Sequence, residues 1–102
     1  MPQLIIVYWR DIPAQVIVKQ GRKSAKAQLE ERFEKAIDMA AMRDGADQTD
    51  DYLAEWHRGE PQEVSGDNLD AIAAEAVSNL QATYDNDRLR SLIDNGGRNP
   101  AS

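Results

Sequence analysis

The residues best suited to bind a ligand form a short basic segment. Gly21-Arg22-Lys23-Ser24 is flanked by Lys19 and Lys26, and an amphipathic pattern follows it. Ser24 is a residue type that caps helices, so we predict a helix that begins here. Free backbone N–H groups at a helix N-terminus, together with these cations, favour an anion. The candidate anion-binding residues are Lys19, Arg22, Lys23, Ser24 and Lys26.

The basic segment is not a P-loop. That motif places Gly, Lys and Ser or Thr in immediate succession after an upstream Gly. Here Arg22 separates Gly21 from Lys23, and the sequence has no Gly before position 21. A solvated loop whose charges keep a sheet edge soluble is the alternative explanation of the same residues.

Catalytic chemistry has few candidates in this sequence. His57, the one histidine, could act as a general base, but no Ser lies in a Gly-x-Ser-x-Gly context that would supply a nucleophile. The chain contains no Cys, which excludes thiol catalysis, disulfides and zinc thiolate sites. We therefore interpret His57 as a structural residue, and we predict no catalytic residue, no cofactor and no metal.

An acidic segment imitates a calcium-binding loop in length only. Twelve residues counted from Asp44 end on Glu55. Ala46 and Thr49 occupy the third and sixth positions, where an EF-hand needs an oxygen ligand and a glycine. An acidic connection between a helix and a strand explains this segment better.

Four of the six aromatic residues lie on segments that can form strands. Trp and Tyr are enriched at interaction hot spots, but a small core uses them as well. If the side chains turned away from the helices are exposed, they form an aromatic patch that indicates a partner or dimerisation. The candidate partner-interface residues are Tyr8, Trp9, Tyr52 and Trp56.

Length and charge bound the class of protein. A chain of 102 residues allows one domain, which we place at residues 1–95 with a frayed tail over residues 96–102. The net charge of −6 argues against nucleic-acid and anionic-membrane partners. No stretch approaches the roughly 18 apolar residues of a membrane span. Together with the absence of Cys, this favours a cytoplasmic protein.

The apolar patterns predict an α+β fold. Leu4 to Trp9 is apolar at both alternating sets of positions, which is typical of a central strand, and residues 14–19 form a second strand in an antiparallel hairpin. Residues 49–58 suit either a short helix or a strand, and we favour the strand because an independently stable sheet needs three. The first long helix carries a predicted apolar stripe of Leu29, Phe33, Ala36, Ile37 and Ala40.

A second long helix follows Ser65-Gly66-Asp67, and Leu89, Leu92 and Ile93 continue as a short final helix. The predicted order is therefore β-β-α-β-α plus a short C-terminal helix. We expect a small sheet of three or more strands, with the two main helices packed on one face.

The segment Ile-Val-Tyr-Trp-Arg-Asp-Ile-Pro-Ala-Gln-Val at residues 6–16 carries a family resemblance. Residues 21–23, Tyr52-Leu53-Ala54-Glu55-Trp56 and the Gly59-Glu60-Pro61 turn extend it over residues 3–93. In these features the chain resembles the small bacterial family of "virulence factor" domains. The resemblance transfers no catalytic residues. It implies an accessory role in one-carbon metabolism, because its members are expected near genes for folate- and corrinoid-linked methyl transfer.

Two functional hypotheses follow. The leading one is a non-enzymatic accessory module that binds a partner protein, and dimerisation through the apolar strands is left open. The alternative is a small anion-binding domain that uses the basic segment, with a nucleotide or a polyglutamylated folate as its ligand.

Overall fold

The computed structural model describes residues 2–43, 45 and 49–98. Within this part of the chain nine helices and strands follow one another. In chain order they are β1 Gln3–Trp9, β2 Ile12–Gln20, β3 Lys23–Gln28, α1 Glu31–Arg43, α2 Thr49–Ala54, β4 Trp56–Arg58, β5 Gln62–Glu63, α3 Leu69–Thr83 and α4 Asn86–Asp94.

The strands form one antiparallel sheet in the order β3-β2-β1-β4, and β5 also pairs with β1. β1 is therefore central, as its doubly apolar sequence predicts, and the β1–β2 hairpin is confirmed. The register shifts between Val7, which faces Gln15, and Tyr8, which faces Pro13. Ala14 is thus an extra residue in β2, and such a bulge bends the end of the hairpin.

The predicted start of the first helix at Ser24 is wrong. Lys23–Gln28 is strand β3, which pairs with β2 from Gln20 opposite Lys23 onwards. The two-residue connection places Gly21 at a φ of +61°, a conformation suited to a tight hairpin turn. Ser24 therefore lies on an edge strand, and α1 begins seven residues later at Glu31.

Residues 49–58 contain both of the structures that their sequence allows. Thr49–Ala54 forms the short helix α2, and Trp56–Arg58 forms the strand β4 against β1. The favoured strand is correct only for these last three residues. The chain changes from helix to strand at Glu55 because Trp56 pairs with Trp9 at the free edge of the central strand β1.

The two main helices cover one face of the sheet. Val16 shares a core cluster with Phe33 and Ile37 of α1, while Val18 shares another with Leu69 and Ala73 of α3. Because residues two apart in a strand face the same side, both helices lie on that side. The α+β fold is as predicted, and every residue of the predicted α1 stripe is buried.

The helix ends follow local rules. Gly45 takes a φ of +71° after α1, as expected of a glycine that ends a helix, and Asp44 lies outside the described residues. The side chains of Asn68 and Asp85 cap α3 and α4 by accepting from Ala71 N and Arg88 N. Among the described residues, no helix has the length and apolarity needed to cross a membrane.

Candidate functional site

The turn between β1 and β2 is fixed by a buried arginine. Arg10 has a φ of +54°, and its Nη1 donates to the carbonyl of Gly96 at 2.6 Å. Its Nε lies 3.5 Å from the carboxylate of Glu55, and its backbone N–H donates to Glu55 O at 3.1 Å. Asp11 N also donates to Gly97 O at 2.8 Å. This turn is thus tied to the segments that follow α2 and α4.

The position of Gly96 and Gly97 differs from the predicted tail. Both glycines are buried, and a Cβ added to Gly97 would lie 2.8 Å from Cζ3 of Trp9. These two residues therefore belong to the packed part of the chain. Residues 99–102 of the predicted tail lie outside the described residues.

Trp9 is a core residue. Its side chain is 0% exposed, and its Nε1 donates to the carbonyl of Tyr52 at 2.9 Å. Its ring also lies 5.8 Å from the ring of Tyr52. Trp9 therefore packs in the core, which is the other role that its sequence allowed, and its side chain has no surface that a partner could contact. We call Trp9, Arg10, Glu55, Gly96 and Gly97 the buried frame.

A polar cleft of about 200 Å³ opens beside this frame. One wall is a pair of rings from β1 and β4, since Tyr8 stacks on His57 with centroids 5.5 Å apart. His57 Nε2 lies 2.6 Å from the carbonyl oxygen of Arg10, which can only accept, so Nε2 carries the proton and donates. Burial, followed by the charges of Tyr84 and Asp11, raises the pKa of Tyr8.

The opposite wall comes from the junction of α3 and α4. Arg32 of α1 donates to the carbonyls of Tyr84 and Gln81 at 2.6 and 2.7 Å, and the Tyr84 ring packs edge-on against Phe33. One turn further, the Arg88 guanidinium lies 4.1 Å from the centroid of the Tyr84 ring. The residues that line the polar cleft are Tyr8, Arg10, Asp11, His57, Tyr84, Arg88 and Leu92.

The predicted anion-binding residues lie on the hairpin of β2 and β3, which we call the basic hairpin. Lys19 and Ser24 are paired across it, Lys26 lies opposite Ile17, and all five residues are exposed. α1 begins only at Glu31, so its N-terminus is not formed by Ser24 and the residues beside it. The part of the predicted site that used the dipole of this first helix is therefore wrong.

The surroundings of the basic hairpin include acidic groups. A shallow hollow beside Lys23 and Ser24 is lined on its other side by Asp67 and Asp70 at the start of α3. These carboxylates compete with any anion for the cationic side chains. Whether the basic hairpin binds an anion stays a prediction.

Large apolar side chains are exposed on α1 and α2, and we call the surface of Met39 and Met42 on α1, beside Tyr52, the apolar patch. Met39, Met42 and Leu53 are 51%, 63% and 60% exposed, and they are the large apolar side chains that the described chain leaves in solvent. Tyr52 and Met42 line one hollow there together with Asp38. Burial, followed by the charges of Asp38 and Glu34, raises the pKa of Tyr52. The patch is thus apolar with an acidic border.

The four predicted interface aromatics do not form one surface. Tyr8 lines the polar cleft, Trp9 is buried, and Tyr52 lies beside the apolar patch. Trp56 is half-buried, packs edge-on against Tyr52 with centroids 5.9 Å apart, and faces a hollow near Leu29. A partner interface at these residues stays a prediction.

Acidic residues do not gather into a metal site in the described ranges. Groups of three or more His, Cys, Asp or Glu that could hold a metal ion are absent from residues 2–43, 45 and 49–98. Asp44, Ala46, Asp47 and Gln48 of the acidic segment lie outside these ranges.

Sequence reasoning missed most of the polar cleft. Arg88 and Leu92 lie four residues apart in α4, so they share one side of that helix, whereas Tyr84 precedes the non-helical Asp85 that caps it. That spacing was readable from the sequence. These residues line one cleft with Tyr8 and His57, and that arrangement depends on the pairing of β1 with β4, which the sequence left open.

The small antiparallel sheet with helices on one face makes this chain an α+β domain, a class that does not by itself define an activity. The family model described as "Virulence factor" matches residues 7–93, and the chain belongs to this family. The resemblance carried by residues 6–16 is thereby confirmed. Searches of curated proteins and of solved structures found no significant match.

Proposed function

We propose that this protein is a non-enzymatic accessory module that binds a partner protein in the cytoplasm. We propose further that its partner is one of the enzymes of folate- and corrinoid-linked methyl transfer, which the family resemblance implies. The single observation that carries the proposal is the exposure of the large apolar side chains Met39, Met42 and Leu53 on α1 and α2. An exposed apolar surface of this kind is a feature of protein-binding sites.

The composition of the patch suits a protein partner. Two of its members are methionines, whose flexible and polarisable side chains adapt to another protein's surface. Tyr52 adds an aromatic ring at its edge, and Tyr is among the residue types that dominate binding energy. Truncating or charging such side chains should therefore weaken binding without affecting the core.

The border of the patch indicates the chemistry of the partner. Asp38, Asp50 and Asp51 are exposed on α1 and α2, and the whole chain carries a net charge of −6. We therefore propose a partner surface with an apolar centre and a rim of Lys and Arg. Such complementarity raises the association rate and makes it fall with salt.

Purified protein carrying an affinity tag tests the proposal against lysate of its native host. We expect Met42→Glu to lose a stoichiometric partner that the unchanged protein captures. Recombinant partner should then bind the unchanged protein at least about tenfold more tightly than the variant, because a charge enters the apolar contact. Ala74→Glu, at an exposed position of α3, is the matched control and should bind normally.

Circular dichroism establishes that both variants are folded before binding is compared. Equal capture by Met42→Glu and the unchanged protein would contradict the apolar patch as the interface. Capture of a protein outside methyl-transfer metabolism would contradict the assignment of the pathway and leave the interface supported.

The anion-binding alternative rests on Lys19, Arg22, Lys23, Ser24 and Lys26. The observation in its favour is the presence of four cations on one exposed hairpin. The carboxylates of Asp67 and Asp70 beside Lys23 reduce the attraction for an anion, and α1 does not begin at the basic hairpin. We therefore rank it second.

A further inference from the structure

The polar cleft brings polar side chains from separate segments into one cavity. The phenols of Tyr8 and Tyr84 and the guanidinium of Arg88 all line it. His57 Nε2 already donates to the carbonyl of Arg10, and Nδ1 is an acceptor in this tautomer, so His57 adds no donor for an anion. A cavity with a few converging polar groups is the usual form of a small-molecule site.

Arg88 supplies the positive charge of the cleft. The charge of Arg10 is engaged by Glu55 and by the carbonyl of Gly96. Arg88 instead lies over the Tyr84 ring, and it makes no ion pair with any described residue. A guanidinium that is oriented by a ring and not neutralised by a carboxylate is well suited to bind a carboxylate or phosphate group.

The tyrosines add neutral donors to this cation. Burial raises the pKa of Tyr8, so its hydroxyl keeps its proton and can donate to an anion at neutral pH. Asp11 is the one carboxylate among the described lining residues, and its backbone is held by Gly97. Because Arg10 is already paired with Glu55, Arg88 is the cation of the lining that can attract an anionic ligand.

We propose that the polar cleft binds the oxyanion group of a small molecule, a carboxylate or a phosphate, through Arg88, Tyr8 and Tyr84. The volume of about 200 Å³ holds roughly six or seven water-sized groups at about 30 Å³ each, so the ligand is small. The stacked rings of Tyr8 and His57 provide a flat wall for its organic part. This site is independent of the apolar patch and of the partner that we propose for it.

Titrations of the full chain followed by amide NMR test the proposal. The two probes are inorganic phosphate and benzoate, each compared with sodium chloride at equal ionic strength. We expect saturable shifts at the amides of Tyr8, His57, Tyr84 and Arg88 with at least one probe. The probe that saturates distinguishes a phosphate from a carboxylate ligand.

Two arginine variants separate a specific contact from general attraction. Arg88→Gln should weaken binding at least about tenfold, because a charge-assisted contact is lost. Arg90→Gln is the matched control on the same helix: Arg90 is exposed, does not line the cleft, and should leave affinity within about twofold. Tyr8→Phe keeps the ring and removes the hydroxyl, and it should weaken binding by a smaller factor.

Three outcomes would overturn the proposal. The first is the absence of saturation with both probes, and the second is an equal loss of affinity in Arg88→Gln and Arg90→Gln. The third is a set of shifts confined to residues 19–26, which would assign the anion to the basic hairpin instead. None of these outcomes bears on partner binding by the apolar patch.

Discussion

The basic hairpin and the polar cleft are the two candidate sites for an anion. The hairpin concentrates four cations within eight residues of sequence, yet the structure leaves them exposed on neighbouring strands. The cleft has one uncommitted cation, Arg88, but it adds the hydroxyl donors of two phenols around a cavity. A high density of charge along the chain therefore does not identify the place where donors converge in space.

The two regions also differ in what supports them. The basic hairpin depends on the ladder between β2 and β3 and on the turn at Gly21. The polar cleft rests on the buried frame, in which Trp9 is inaccessible and Arg10 joins the ends of two other segments. Substitutions should thus lower the free energy of unfolding strongly in the buried frame and only slightly in the basic hairpin.

Trp9→Ala should have the largest effect on stability. It removes a fully buried ring and the hydrogen bond to Tyr52 O, and a substitution of this type costs about 3–5 kcal/mol. That is a large part of the roughly 5–15 kcal/mol by which a domain is stable. Urea unfolding followed by circular dichroism measures the change.

Arg22→Ala is the comparison from the basic hairpin. Because Arg22 is exposed in the turn, its removal should alter the free energy of unfolding by no more than about 0.5 kcal/mol. A Trp9→Ala variant as stable as Arg22→Ala would show that the frame does not support the cleft.

Two glycines allow a closer comparison of the same regions. Gly97 has a φ of +88° and Gly21 a φ of +61°, so Ala at either position strains the backbone by about 1–2 kcal/mol. At Gly21 nothing lies within 4 Å of an added Cβ, whereas at Gly97 the ring of buried Trp9 lies 2.8 Å away. Gly97→Ala should therefore cost about 1–3 kcal/mol more than Gly21→Ala.

Urea unfolding of the two Ala variants gives this difference directly. Since both positions share the backbone strain, the difference reports the contact with Trp9. Equal losses of stability would mean that the segment after α4 can move away from Trp9. The buried frame would then not give the cleft a rigid support.

Local patterns account for what could be predicted. Leu4 to Trp9 is apolar at both sets of alternating positions, which identifies a central strand, and the α1 stripe follows the helical repeat. The segment Lys23–Gln28 was misassigned because its two alanines give only a weak strand pattern and Ser24 suits a helix cap. The tight turn at Gly21 decided the outcome by continuing the hairpin.

The polar cleft could not be predicted for a different reason. Its side chains are spread from residue 8 to residue 92, and each is unremarkable in its own segment. Tyr8 meets His57 only because β4 pairs with β1 in one register, and Tyr84 reaches them only because Arg32 holds the end of α3. These are long-range contacts, and neither periodicity nor spacing specifies them.

Tyr8 should show the smallest effect, in the dependence of stability on pH. Burial, Tyr84 and Asp11 raise the pKa of Tyr8 above its ordinary value of 10.0, so the unfolded chain loses this proton before the folded chain does. The neutral phenol therefore contributes stability that is complete below about pH 10 and is lost as the pH rises toward the folded pKa. In Tyr8→Phe the urea midpoint should accordingly decline less steeply above about pH 10. The pKa of Tyr52 is raised as well, so Tyr52→Phe should remove its own part of the decline, and the double variant should show both parts because the two rings lie in different hollows. A decline in Tyr8→Phe as steep as in the unchanged protein would contradict this prediction. It would mean that the Tyr8 phenol is as accessible to water as the basic hairpin, so the two regions would not differ in burial.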